Sequence, residues 1–349
     1  MKDVSLIDKN FKIETKIGKN DIRFYNVLCE PFRVYGVIYE NGCFRRMPEK
    51  AAKTISEGVY ALHTNTAGGR VRFKTDSAYV AVNVKMNSVG KMGHFTLAGS
   101  AGFDMYVKEE KERHISSFIP PISVTTEYES VAELGNTDMK EITINFPLYS
   151  DVSELYIGVS ESSAVLAPEP YKTQAPIVFY GSSITQGGCA SRPGNAYTAV
   201  VARELECDHI NLGFSGSALA EDEMARYIAE LDMCAFVFDY DHNAPSLEHL
   251  EMTHEKMFKT IRAEHPSIPI VIMSRPKYTT WWYEDKCSEI IKMTYRNAVA
   301  AGDKNVYFLD GRASMAIAEN EGTVDGCHPN DLGFASMARA VIEILRRKR

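Results

Sequence analysis

The feature that most constrains this chain is a change of rhythm near residues 160–175. After it, apolar runs alternate with helical patterns. Ile177–Tyr180 precedes a helix around 196–205, His209–Leu212 one around 221–231, and Ala235–Tyr240 one around 246–265. Ile268–Met273 precedes one around 283–301, and Val306–Leu309 the last, around 331–347. Repeated β-α units predict a parallel sheet, because each strand must return to the same edge through a crossover helix, and the helices then cover both faces. Ligands sit beyond the carboxyl ends of such strands, so the chemistry is sought just after each run.

Before the change, short β-branched and aromatic runs dominate: Arg33–Tyr39, Val71–Thr75, Tyr79–Val84, Glu141–Phe146 and Glu154–Val159, with one helical signal at Pro48–Ser56. Close spacing of this kind predicts an antiparallel sandwich or jelly roll. Ser160–Pro176, which carries Pro168, Pro170 and Pro176, reads as a linker. At 349 residues the chain exceeds what one core usually serves, and the expected division is 1–165 and 166–349.

Four segments carry candidate chemistry. Gly181-Ser182-Ser183-Ile184 follows the first strand of the second half, where a serine is well presented and turn N–H groups can stabilise an oxyanion. A tight connecting loop would look the same. Asp325-Gly326-Cys327-His328 precedes the last helix; a serine hydroxyl needs a histidine to take its proton, and the imidazole needs a carboxylate to fix its tautomer. A buried histidine beside a capping aspartate is the plainer alternative. Gly213 lets the backbone approach a substrate and turn its N–H inward, and Asn243 can donate its side-chain amide to the same oxyanion; a turn glycine and a loop-binding asparagine are the structural counterparts.

Taken together, Ser, Gly, Asn and Asp-x-x-His in this order resemble the SGNH (GDSL-like) hydrolases over about Pro176–Leu345. The resemblance implies a three-layer, flavodoxin-like α/β domain with a five-stranded parallel sheet. It implies Ser183 as nucleophile, His328 as base and Asp325 as its support, an oxyanion hole from Ser183, Gly213 and Asn243, and Thr185 and Asn211 as loop braces. Two departures stand out: Gly-Ser-Ser replaces the usual Gly-Asp-Ser, and Asp241 stands where the third block usually begins with glycine. Gly102-Phe103-Asp104-Met105-Tyr106 is similar to the signature of the "GxDLY" β-sandwich that precedes some of these domains.

The expected activity is a serine esterase acting on short acyl groups, acetyl above all, on a carbohydrate or similar polyol, with no cofactor and no metal. An acyltransferase using the same acyl-enzyme and a non-catalytic glycan-binding protein are the rivals. Arg275, Trp281 and Trp282, after the fourth strand, are candidates for the substrate pocket; a salt bridge and packing are the alternatives. His242, His249 and His254 fit no metal spacing and read as surface histidines, and Cys327 as a packed spacer. The net charge of −7 argues against nucleic acid or an anionic membrane as main partner. The expected partner is a small-molecule or oligosaccharide ester, and a homo-oligomer is left open. Charges break the first residues before any leader-like apolar core, and the seven scattered cysteines suit reduced thiols, so a cytoplasmic protein is expected.

Overall fold

The computed structural model describes residues 13–347. Residues 1–9, read above for a leader, and Lys348 and Arg349 of the terminal basic cluster lie outside the described residues. The first half contains β1 (Ile22–Asn26), β2 (Arg33–Tyr35), β3 (Ile38–Glu40), β4 (Cys43–Arg45), β5 (Arg70–Thr75), β6 (Tyr79–Ser88), β7 (Phe103–Lys108), β8 (Glu112–Phe118), β9 (Glu127–Glu133), β10 (Lys140–Asn145), β11 (Asp151–Ser160) and β12 (Val165–Leu166). One antiparallel sheet runs β1-β11-β6-β9 and a second β12-β5-β10-β7-β8, with β2 also on β5. Alternate residues of each inner face, among them Val80, Val82, Val84, Val71, Phe73, Ile142 and Ile144, are fully buried between the two sheets, as the two-residue period requires.

The run Arg33–Tyr39 is two strands, not one. Gly36 sits at φ +72°, and a Cβ there would lie 2.2 Å from the Gly68 carbonyl oxygen, so the chain must turn away between β2 and β3. Of the short helices α1 (Glu49–Ile55), α2 (Glu57–Leu62) and α3 (Leu97–Ser100), only the first matches the helical signal in the sequence. Ser56 ends α1 and caps α2 by accepting the Val59 N–H, a switch that hydrophobic periodicity does not show.

The second half contains β13 (Thr173–Gly181), α4 (Ser183–Gln186), α5 (Tyr197–Leu205), β14 (Cys207–Gly213), α6 (Asp222–Ala229), β15 (Ala235–Asp239), α7 (Leu247–Glu264), β16 (Ile270–Met273), α8 (Trp282–Ala300), β17 (Val306–Leu309), α9 (Gly311–Ser314) and α10 (Asp331–Arg346). The sheet is parallel throughout, in the order β14-β13-β15-β16-β17. Its central strands are apolar on both faces. Val178 and Tyr180 pack with α6, α7 and α8 on one side, while Ile177 and Phe179 pack with α5 and α10 on the other. The strand order reverses beside β13, which opens a crevice at the carboxyl ends of β13 and β15.

The two halves are tightly joined. Met47, Ala52 and Val59, from around α1 and α2, sit in the core that covers β14 and α6. Asp104 of the Gly-x-Asp-Met-Tyr segment is fully buried; it accepts hydrogen bonds from Arg192 (2.8 Å) and the Gly194 N–H (2.9 Å) on one oxygen and from Asn145 (2.9 Å) on the other. The motif is therefore a fastener between the sandwich and the loop that follows α4. The proline-rich stretch is pinned as well: Val165–Leu166 pairs with β5, and the Tyr171 hydroxyl accepts from Arg70 Nε at 2.7 Å.

Candidate active site

Gly181 ends β13 where a Cβ would fall 2.1 Å from the Asp239 carbonyl oxygen, so the strand can close on its neighbour only as glycine. Ser182 then caps α4 by accepting the Ile184 N–H, the task that an aspartate would otherwise take. Ser183 follows at the first helical position, 9% exposed, its N–H without an intrahelical partner. Ligatures from both domains hold the turn. Gln186 donates to Asn65 Oδ1 (3.0 Å) and the Leu148 carbonyl (3.1 Å) of the sandwich and accepts the Ser215 N–H (3.0 Å), while the Tyr149 hydroxyl donates to the Ser183 carbonyl at 3.2 Å. Asn211 donates to the Thr185 carbonyl (2.8 Å), and the Thr185 hydroxyl meets Tyr197 (3.1 Å), so both expected braces lie against this turn.

The Asp-x-x-His loop comes to the same point from the other end of the domain. Ser183 Oγ lies 3.0 Å from His328 Nε2, and His328 Nδ1 lies 2.8 Å from Asp325 Oδ2. With Nδ1–H donating to Asp325, Nε2 is the acceptor for the serine hydroxyl. The other Asp325 oxygen accepts the backbone N–H groups of Cys327 (3.0 Å) and His328 (2.8 Å), an arrangement that needs Gly326 at φ +83° between them. Partial burial works against the charged carboxylate, but these bonds and the imidazole pull Asp325 down to about 2. Burial and the neighbouring Asp325 push the Cys327 thiol up, which disfavours it as a second nucleophile.

Gly213 does not fill the position expected of it. Its N–H donates to Asn211 Oδ1 (2.9 Å) and its carbonyl accepts from Arg46, so neither faces the serine; a Cβ here would strike the Gln186 backbone nitrogen at 2.1 Å. Gly213 is a packing glycine beneath α4. Three residues on, Phe214–Ser217 closes a tight turn through the Ser217 N–H and the Phe214 carbonyl (3.0 Å), with Gly216 at φ +67°, open space on its Cβ side and no hydrogen-bond partner for its N–H among the described residues. Asn243 places one amide hydrogen on the Phe214 carbonyl (2.9 Å), which fixes the side chain and leaves the other free.

The remaining candidates separate. Arg275 is held by Asp241, Nε to Oδ2 at 3.1 Å and Nη2 to the carbonyl at 2.8 Å, so it braces the loop after β15 and is not presented to a ligand. Asp241 stands in for the usual glycine as the partner of that arginine. Trp281 and Trp282 are 71% and 68% exposed, against packing as their role. His254 is no surface residue: it is 1% exposed, stacks on Phe238 (4.6 Å) and meets the Thr294 hydroxyl at 2.8 Å. His249, half-buried, bonds the Leu219 carbonyl, and His242, whose ring is buried with Nε2 unpartnered, lies 3.7 Å from Cys327 Sγ.

The sandwich contributes His94, whose ring centroid is 5.5 Å from that of His328. Among the described residues, His94, Cys189 and His328 form the one group of donors close enough to share a metal, within 4.8 Å of one another. His328 Nε2 already faces Ser183, so a cation there would compete with the serine. Among the described residues no cysteine forms a disulfide, and no described helix is long and apolar enough to cross a membrane.

Residues 174–346 match the family model described as GDSL-like lipase/acylhydrolase, and residues 22–165 match that of the N-terminus of SGNH-hydrolase-type esterases, GxDLY. Among solved structures, a Bacteroides ovatus protein described as a GDSL-like lipase is 30% identical, with 93% of this chain and 98% of that chain covered and a TM-score of 0.83. The salicylyl-acyltransferase SsfX3 of a tetracycline biosynthetic pathway shares the fold at 18% identity (94% and 98% covered, TM-score 0.76). So does an acetyl xylan esterase from Butyrivibrio proteoclasticus at 12% (93% and 99% covered, TM-score 0.62). No curated protein matches the sequence. The chain belongs to the GDSL-like lipase/acylhydrolase family, in the form that carries a GxDLY sandwich ahead of its SGNH domain.

Proposed function

We propose that the protein is a serine esterase that removes short acyl groups, acetyl foremost, from a carbohydrate or similar polyol. The observation that carries this reading is the unbroken chain from Ser183 Oγ through His328 to Asp325 at the carboxyl edge of the parallel sheet. In the proposed reaction Ser183 Oγ attacks the ester carbonyl while His328 Nε2 takes its proton, and Asp325 stabilises the imidazolium. The oxyanion rests on the N–H groups of Ser183 and Gly216 and on the free amide hydrogen of Asn243. His328 then protonates the leaving alcohol, and water, deprotonated by the same nitrogen, releases the acid and frees Ser183.

The preference for a short acyl group rests on crowding by the sandwich. His94 lies beside the His328 ring, the Tyr149 hydroxyl binds the Ser183 carbonyl, and Phe95 packs edge-on against Tyr149. Hydrolysis of p-nitrophenyl acetate, butyrate and octanoate by wild type and Ser183→Ala tests both points. The reading expects rates that fall with chain length and vanish in the variant. Equal rates in the two proteins would remove Ser183 as nucleophile, and a preference for octanoate would remove the short-acyl assignment.

A further inference from the structure

A polar cavity lies toward the start of β14, away from the carboxyl end where the serine stands. It encloses about 240 Å³ between β5, β7 and β10 of the sandwich and α5 and β14 of the other domain. Arg72 is 1% exposed in its wall. The guanidinium lies 4.1 Å over the Tyr171 ring and gives Nη2 to Glu141, while Nε and Nη1 have no protein partner. His209, 2% exposed, lines the same cavity with both ring nitrogens unpartnered, and burial together with Arg70 and Arg203 keeps it neutral. One of its nitrogens is therefore a further N–H donor. Buried donors left unmatched are costly, and a bound acceptor removes that cost.

The lining carries seven cations and four carboxylates, and Glu141 and Asp208 behind Arg72 and Arg70 bring the acids to six, so one positive charge remains in excess. At the rim, Glu206 is shared by Lys108 and Lys172, and Glu204 by Lys111 and Arg346. We infer that this interdomain cavity binds a small oxyanion, a carboxylate or phosphate borne by a molecule no larger than a monosaccharide acid, with Arg72 and His209 as its innermost donors. The volume falls below the ~300 Å³ at which pockets for larger ligands begin. Because its walls come from both domains, the ligand stabilises their contact and raises the unfolding temperature by linkage.

Titration of the full chain at constant ionic strength with inorganic phosphate, glucuronate and neutral glucose, followed by calorimetry and thermal unfolding, tests the site. Saturable binding of phosphate or glucuronate, with a rise in Tm of about 3 °C or more near saturation and none for glucose, is expected. Which anion binds tells phosphate from carboxylate. Arg72→Gln should weaken binding at least tenfold. Ala202→Leu, which fills the cavity from α5 and leaves every charge in place, should do the same in a protein whose fold does not depend on the arginine. No saturable anion binding, equal binding of glucose, or undiminished binding in Ala202→Leu would overturn the inference.

Discussion

The two loops that meet at the triad are built differently. The Ser183 turn is buried and strung between domains by Gln186, Asn65, Tyr149 and Asn211. The Asp325–His328 loop is half-exposed and holds itself, through Asp325 on its own backbone and the Val324 N–H on the His328 carbonyl at 2.8 Å. The nucleophile's position is thus a property of the two-domain assembly, and the base's position is local. Damage to the sandwich should reach the reaction through the serine, and damage to the base should leave the fold intact.

The largest effects test the local loop. His328→Ala and Asp325→Asn should each lower kcat by about 10⁴, with the melting temperature of Asp325→Asn lowered by no more than a few degrees, since its carboxylate is partly exposed. A large loss of stability in either would contradict the self-contained loop. Asn243→Ala should cost about 10²–10³ in kcat, as removal of one oxyanion donor does elsewhere. The two glycines sharpen the contrast further: Gly216→Ala keeps the N–H but strains a turn at φ +67°, so it should fold with reduced activity, whereas Gly213→Ala should fail to fold soundly, because its methyl group meets backbone at 2.1 Å. Thermal unfolding paired with ester hydrolysis separates these outcomes.

An intermediate effect tests the interdomain ties. Asn65→Ala lies in the sandwich, away from the reacting atoms, yet it frees one end of Gln186, and about tenfold loss in kcat is expected for a loosened nucleophile. Unchanged kcat would mean that the second domain holds the serine unaided.

The smallest effect concerns pH. Burial holds His242 and His254 down to about 3, whereas the unfolded chain takes up these protons below about 6.5. Stability is therefore full above about 6.5 and falls as pH drops toward 3, by up to about 1.4 kcal/mol per unit for each histidine. Tm measured between pH 7.5 and 5 should decrease, and His254→Phe should flatten the slope. A rising Tm on acidification would contradict the neutral, buried assignment.

What the sequence made legible follows from what is local. The β-α rhythm marks the parallel sheet, Ser183 is recognisable directly after a strand, and Asp325 and His328 are recognisable as an Asp-x-x-His pair in one loop before the last helix. Gly216, the oxyanion donor proposed above, stands close to Gly213 in Asn211-Leu212-Gly213-Phe214-Ser215-Gly216, where strand-end position alone favours Gly213. Glycine at the third place of the turn Phe214–Ser217 was the available signal. His254 looks solvated among Glu251, Glu255 and Lys256, yet Leu250, Met257, Phe258 and Ile261 share its helical face, and that spacing marks it as core. His94 and Tyr149 carry no signal at all, since only the docking of the sandwich brings them to the serine.

The most direct test of the central claim is the identity of the acylated residue. The enzyme would be mixed with p-nitrophenyl acetate, quenched in acid within the first turnover, and analysed by intact-protein and peptide mass spectrometry. One acetyl group on the peptide that contains Ser183, absent in Ser183→Ala, is the predicted result. Acetyl on any other side chain, or turnover with no acyl-enzyme in a burst that titrates the protein, would contradict the account.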